Sequence, residues 1–226
     1  MILIENTEVT GWEAAVRGMR NPLNSWDKSD SGLGCTTGAC KDCGFKPSWC
    51  GVTQKYVIGE NDLALMKKLV KSGSDHSKFM RMITVTCDIT APMYWIKEHD
   101  TYKVGTVRNS CSTMHKIAAK EFTLDDFSHE HMTSHNCHLL GDIVLDLNLY
   151  RNRYLTAKET DGVPKKDWWW QMIQLLPSSY NQRYTWQANY AVLRNIYRAR
   201  KNHRLDEWHT FCEWIEDLPY SELMTE

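Results

Sequence analysis

Hydrogen-bonding side chains of fixed shape are concentrated in one segment of the C-terminal half. The stretch LLPSSYNQRYTWQANYAVLRNIYRAR, residues 175–200, contains Asn189, Asn195 and Arg200 among apolar neighbours. Apolar residues alone would be enough to pack such a segment, and buried polar groups are costly unless they are paired. The pattern therefore favours a site for a polar ligand, in which the arginine offers a planar fork of donors to a phosphate or a carbonyl. Ordinary surface polar residues on a helix remain the alternative.

A helix is the element expected to position these groups. Leu193, Ile196 and Tyr197 are spaced i, i+3, i+4, which is typical of the apolar stripe of a helix. We predict this helix from Tyr184 to Lys201.

Cysteines provide a second candidate site, in a segment of about residues 27–57 that is predicted to be a long loop. Cys35, Cys40, Cys43 and Cys50 follow the spacing C-x4-C-x2-C-x6-C. Zinc takes four such ligands at tetrahedral corners, and a C-x2-C pair supplies two of them from a tight turn. A structural zinc would also explain how a long loop stays ordered. A disulfide and free thiols are the open alternatives.

Histidines between residues 129 and 138 form a further group, accompanied by Cys137. Thr133, Ser134 and Asn136 disfavour a helix here, and the His-Glu-x-x-His motif of zinc proteases is missing. We interpret these residues as a surface histidine cluster.

Composition limits the class of protein. The 226 residues are 42% hydrophobic and 24% charged, which is enough for a substantial core and for one domain over residues 1–226. A net charge of −1 gives no electrostatic argument for nucleic acid. We expect no signal peptide and no membrane span. Scattered cysteines such as Cys87, Cys111 and Cys212 are typical of reduced thiols, so we expect a cytoplasmic protein.

The element pattern predicts an α/β (α+β) fold with a small central sheet packed by long helices. Trp168, Trp169 and Trp170 are expected to anchor a core or a subunit interface. A strand is predicted at Met82–Ile89 and a loop at Arg20–Val57. Besides Tyr184–Lys201, helices are predicted at Glu8–Met19, Asn61 or Asp62 to about Ser72, Pro92–Tyr102, Leu139–Tyr154, Lys166–Leu176 and Leu205–Ile215.

The order Leu-Pro, Trp, Asn, Leu, Asn, Arg in residues 176–200 resembles the C-terminal half of the flavin-dependent thymidylate synthases, the ThyX family. The resemblance continues over residues 63–117. There His76 matches the family's flavin-contacting histidine, and Ala91-Pro92 matches its Ala-Pro.

The signature loop of that family is only partly retained. Its pattern, Arg-His-Arg-x-x-Ser-x-Asn-Glu-x-Ser-x-Arg-Tyr, falls on residues 101–114. Lys103 and Thr106 are conservative matches without gaps, and a one-residue insertion aligns Asn109 and Ser112. The signature's glutamate and its final Arg-Tyr are missing, and Ala191 replaces an arginine of the C-terminal block.

The resemblance implies a ThyX-like fold and a homotetramer with ligand sites between subunits. It implies that FAD is held by His76, Asn189 and Asn195. It also implies that a pyrimidine deoxynucleotide such as dUMP is held by Lys103, Thr106, Arg108, Asn109, Ser112 and Arg200. Arg200 is also the catalytic candidate. Two function classes stay open: a flavin-dependent enzyme that methylates or modifies the pyrimidine, and a ThyX-derived protein that binds a nucleotide or a partner without catalysis.

Overall fold

The protein combines helices with a small sheet. A computed structural model describes residues 1–35, 54–158 and 162–226. The strands are β1 (Leu3–Thr10), β2 (Gly32–Cys35), β3 (Gln54–Val57), β4 (Thr84–Pro92), β5 (Val107–Ser110) and β6 (Asn181–Asn189). The helices are α1 (Trp12–Arg20), α2 (Glu60–Lys71), α3 (Met93–His99), α4 (Thr113–Lys116), α5 (Ser134–Thr156), α6 (Lys165–Leu175), α7 (Tyr190–Arg200), α8 (Asp206–Glu216) and α9 (Glu222–Thr225).

Four strands form one sheet in the order β1-β4-β6-β5, and β2 pairs antiparallel with β3. Alternation explains the two central strands, because successive side chains of a strand point to opposite faces. In β6, Tyr184, Trp186 and Ala188 are buried while the residues between them are exposed. β4 follows the same rule and buries Val85, Cys87, Ile89 and Ala91.

The described chain divides into two compact units. The first comprises Met1–Thr7, Cys87–Trp186 and Asn202–Phe211, and the second comprises Glu8–Thr86, Gln187–Lys201 and Cys212–Glu226. Each buries apolar side chains of its own: the first has a cluster of Ile117, Phe122, Phe127, Leu140, Val144, Leu147 and Met172, and the second buries Val16, Met66, Leu193 and Ile196 among others. A single domain over residues 1–226 stays a prediction.

Most predicted elements are confirmed within a few residues. The helices α2, α3, α5, α6 and α8 and the strand β4 occur where the apolar spacing placed them, and the mixed helix and sheet class is confirmed. Among the described residues, no helix combines the length and the apolar character needed to cross a bilayer.

Three predictions of local structure are wrong. The helix predicted from Tyr184 is strand β6 as far as Asn189, because burial follows a period of two up to that point. Glu8 to Thr10 belong to β1, and Gly11, with φ 91°, separates that strand from α1. The predicted loop at Arg20–Val57 contains β2 and β3.

His131, His135 and His138 are exposed, as predicted for a surface cluster, but the expectation that no helix forms there is wrong, since α5 begins at Ser134. Thr133 is the N-cap, and its hydroxyl accepts a hydrogen bond from Asn136 N at 3.3 Å. Threonine and serine disfavour helix interiors, but they are preferred at the N-cap because their oxygen satisfies an unpaired backbone N–H. The same residues that argued against a helix therefore mark its start.

Candidate functional site

The segment that matches the signature loop is fastened to strand β6 in the first unit. Gln182 Nε2 donates to the main-chain oxygen of Cys111 at 2.7 Å and to Thr113 Oγ1 at 3.1 Å. The backbone N–H of Cys111 donates to the oxygen of Arg183 at 2.9 Å. One glutamine side chain therefore fixes the turn between β5 and α4.

Arg108, a predicted phosphate-binding cation, is engaged within the same unit. Its Nη1 forms an ion pair with Asp100, and its Nη2 donates to Gln182 Oε1 at 3.1 Å. The guanidinium also lies 4.1 Å from the centre of the Tyr184 ring, close enough for a cation–π interaction. These contacts show that Arg108 holds the segment against β6.

A buried histidine and tyrosine lie next to this arginine. Tyr184 Oη is 3.0 Å from His99 Nδ1, and Trp95 stacks on the imidazole with ring centres 4.7 Å apart. Burial, and then the charge of Arg108, lowers the pKa of His99 to about 3. Burial raises the pKa of Tyr184 well above its usual value. Both groups are therefore neutral at physiological pH, and they form a hydrogen-bonded pair rather than an ion pair.

The other signature-loop candidates use their polar groups in different ways. Lys103 and Asn109 are exposed. Thr106 Oγ1 donates to Tyr102 O at 2.7 Å, and Ser112 Oγ accepts from His115 N at 3.3 Å as the N-cap of α4. Both hydroxyls therefore serve the local backbone, although each keeps capacity for a further hydrogen bond.

The flavin-binding candidates belong to the second unit. Asn189 is the N-cap of α7, where its Oδ1 accepts from Val192 N at 3.1 Å. Asn195 is exposed on α7, and His76 is exposed in the segment that follows α2. Arg200, the last residue of α7, is half-buried. The roles of these residues toward a ligand stay predictions.

The residues proposed for one ligand are thus distributed over both units. Arg108 and Ser112 belong to the first unit and Arg200 to the second. The structure brings Arg108 together with Gln182 and Tyr184 inside the first unit. Convergence of Lys103, Arg108 and Arg200 on one anion stays a prediction.

The predicted zinc ligands cannot be compared with the structure. Cys40, Cys43 and Cys50 and the side chain of Cys35 lie outside the described residues. In residues 1–35, 54–158 and 162–226, no group of three His, Cys, Asp or Glu side chains could hold a metal ion. Zinc bound by the four cysteines stays a prediction. Cys87, Cys111, Cys137 and Cys212 form no disulfide within the described residues.

Sequence reasoning missed Gln182, His99 and Tyr184. Two of them lie on β6, which was predicted to be loop and helix. The signal that could have found them is the alternation of Tyr184, Trp186 and Ala188, because a strand beside the signature segment would present every second side chain to it.

Comparisons with known proteins agree with this architecture. Neither a scan against models of protein families nor a search of curated proteins found a match to this chain. A solved structure of the flavin-dependent thymidylate synthase ThyX from Helicobacter pylori, in complex with FAD and dUMP, matches with a TM-score of 0.63 and 14% identity. The match covers 98% of this chain and 97% of that one.

A second structure of ThyX from Helicobacter pylori, also with FAD and dUMP, matches with a TM-score of 0.61 and 12% identity. It covers 100% of this chain and 97% of that one. Likeness over nearly the whole of both chains, at so low an identity, concerns the fold. The chain is therefore similar in fold to the flavin-dependent thymidylate synthases of the ThyX type.

Proposed function

We propose that this protein binds a flavin, FAD, and a pyrimidine deoxynucleotide of the dUMP type. The observation that carries the proposal is the fold similarity over 98% of the chain to a ThyX that binds both ligands. Polar residues at the matching positions support it, since Asn189 at the N-cap of α7 and Asn195 and Arg200 on α7 are all retained.

The side chains on α7 and after α2 suit a flavin in kind. Asn195 offers an exposed amide, and His76 offers an exposed imidazole. Asn189 uses its oxygen as a helix cap, and its NH2 group has no hydrogen-bond partner within the described residues. These groups can donate to and accept from the polar atoms of a flavin ring or ribose.

Each of these residues has a binding role in the proposal. Asn189, Asn195 and His76 orient the cofactor, while Arg200 holds the nucleotide phosphate or polarises a pyrimidine carbonyl. Lys103 and Asn109 are exposed in the signature segment and would contact the nucleotide together with Thr106 and Ser112. The flavin, when bound, supplies hydride chemistry, so the chain itself needs no nucleophile.

Loss of catalysis is the second candidate, and a specific observation favours it. The glutamate and final arginine of the signature are missing, and the guanidinium of Arg108 is already engaged by Asp100 and Gln182. A ThyX-derived protein that binds a nucleotide or a partner without methylating the pyrimidine would have these features. The proposed cytoplasmic homotetramer, with ligand sites between subunits, is common to both candidates.

Calorimetry with FAD and with dUMP tests the proposal. A charge-assisted contact to phosphate is worth roughly 1.5–3 kcal/mol, so Arg200→Ala should weaken dUMP binding by about tenfold or more. Arg204→Ala is the matched control, because Arg204 is exposed and lies outside the matching positions. Binding of neither ligand to the wild-type protein at millimolar concentration would refute the proposal.

The absorbance spectrum and an activity assay separate the two candidates. A flavin band in the purified protein, together with formation of dTMP from dUMP in the presence of a methylene donor and a reductant, supports the enzyme. Binding of both ligands without product supports the non-catalytic candidate.

A further inference from the structure

A cavity with a strong charge pattern lies within the second unit. Its volume is about 350 Å³, and none of the residues proposed for flavin or nucleotide lines it. Three helices and the turn after α2 form its walls, with lining residues Lys67, Val70, Lys71, Gly73, Arg194, Arg198, Glu222 and Glu226.

Cations outnumber carboxylate side chains in this lining. Lys67 Nζ lies 3.3 Å from Glu222 Oε1, and Lys71 Nζ lies 3.5 Å from Glu226 Oε2. These two pairs use both acidic side chains of the cavity, which leaves two guanidinium groups without a carboxylate side chain from the lining.

The two arginines contact main-chain oxygens instead. Arg198 Nη2 donates at 2.9 Å to a main-chain oxygen of Glu226, which is part of the carboxylate of the last residue. Arg194 Nη2 donates to Val70 O at the long distance of 3.4 Å. The Nε of Arg194 is buried and has no hydrogen-bond partner in the described parts of the chain. Unpaired buried donors are rare in folded proteins and call for an explanation.

The charges of the two arginines also favour a bound anion in the cavity. Burial, and then repulsion by Arg198, lowers the pKa of Arg194. The arginines are spaced i, i+4 on α7 and therefore lie on one face of the helix. A guanidinium presents a fork of donors that matches the oxygens of a phosphate. An anion in the cavity would offset the excess of positive charge among the lining side chains.

We propose that this cavity binds a small phosphate-bearing anion of about the size of pyrophosphate, and that Glu222 and Glu226 compete with it for the lysines. The volume is near the lower end of the roughly 300–1,000 Å³ that small-molecule sites occupy.

The competing explanation is purely structural. Cations near the last turn of a helix interact favourably with its dipole, and Arg194 contacts a carbonyl at the end of α2. If this were their whole role, pyrophosphate would not bind, and removing the acidic side chains would not create binding.

Calorimetry with inorganic pyrophosphate at low salt tests the proposal on the full chain. Arg198→Gln should weaken binding by about tenfold or more, because a charge-assisted contact is lost. Glu226→Gln should strengthen binding by about threefold, since the exposed ion pair that competes with the anion is weak. Opposite effects of the two variants are the expected signature.

Matched controls come from the same unit. Lys68→Gln removes one positive charge and Glu213→Gln removes one negative charge, both from exposed positions outside the cavity lining. Each control should leave the Kd for pyrophosphate within about twofold of the wild type, as expected for screened surface charges. Controls that match the cavity variants would reduce the effect to net charge and overturn the proposal.

Further arms separate this site from other assignments. Citrate binding as tightly as pyrophosphate would contradict the phosphate assignment. Arg198→Gln should leave FAD and dUMP binding unchanged, and a loss of either would make the cavity part of the flavin or nucleotide site. No heat from wild type or Glu226→Gln with millimolar pyrophosphate would also overturn the proposal. Thermal melting verifies that each variant folds. If Arg198→Gln does not fold, the tighter pyrophosphate binding expected of Glu226→Gln still tests the proposal.

Discussion

The two ends of helix α2 differ in whether their charged side chains are fully paired within the protein. At the first turn, Asp62 is completely buried, and its carboxylate accepts hydrogen bonds at 2.6 Å from each of Arg20 Nε, Ser29 Oγ and Ser31 Oγ. In its C-terminal half, Lys67 and Lys71 line the cavity described above.

The arginines at the two ends of α2 also differ in how many of their guanidinium N–H groups have hydrogen-bond partners. Arg20 is 5% exposed and donates to Asp62, to Ser25 O at 3.1 Å and to Lys28 O at 2.9 Å. Arg194, at the other end, has a buried Nε without a partner in the described residues. Arg20 and Asp62 are therefore paired within the fold, whereas Arg194, whose Nε has no partner in the described residues, lines the cavity of the proposed anion site.

The largest effect on stability is expected at the N-terminal end of α2, where Asp62 pairs with Arg20. Asp62→Asn leaves Arg20 buried without its counter-charge, and breaking a buried ion pair in this way costs roughly 3–5 kcal/mol. Urea unfolding should show a loss of that order in the free energy of unfolding. Asp27→Asn, an exposed change in the neighbouring segment, should stay within about 0.5 kcal/mol. A loss below about 1 kcal/mol for Asp62→Asn would show that the pair is not structural.

Low pH should remove the stabilisation that the Arg20–Asp62 ion pair contributes. Burial alone would raise the pKa of Asp62, but the hydrogen bonds from Ser29, Ser31 and Arg20 outweigh it, and the net shift is downward. A carboxyl with a lowered pKa stabilises the fold fully above its unfolded pKa of about 3.9, and this stability is lost as the pH falls through the folded pKa.

The difference in unfolding free energy between wild type and Asp62→Asn measures this contribution. It should be constant above about pH 5 and shrink as the pH falls below about 4. A difference that stays constant down to pH 2 would mean that the carboxylate charge is not what Arg20 requires.

The smallest effect on stability is expected at the C-terminal end of α2, where Arg194 lines the cavity. Arg194→Met keeps an apolar side chain of similar length and removes a buried donor that lacks a partner, so the free energy of unfolding should change by less than about 1 kcal/mol. The same urea experiment measures it without added anion. A loss as large as that of Asp62→Asn would show that Arg194 is structural and would remove the contrast between the two ends.

Sequence periodicity predicted most of the helices but failed at β6. Trp186, Asn189 and Leu193 are spaced three and four residues apart, so the segment matched a helix as well as a strand. Its alternation of Tyr184, Trp186 and Ala188 is just as regular. Periodicity alone cannot choose between two patterns that overlap over so few residues, and sheet pairing with neighbouring strands decided the choice.

The sequence by itself determined the fold class, the positions of most helices and the resemblance to ThyX, because apolar spacing and motif order are local properties of the chain. It also identified Asn189, Asn195 and Arg200 as candidates.

Only the tertiary structure decided which partners these and other polar groups meet. Asp100 and Gln182 flank Arg108 although Gln182 is 74 residues away in sequence, and Arg20 meets Asp62 from 42 residues away. The cavity charges come from α2, from α7 and from the C-terminal segment that contains Glu222 and Glu226. Long-range pairing depends on the path of the whole backbone, so no local pattern in the sequence could have revealed whether a given cation is satisfied or needs an anion from outside.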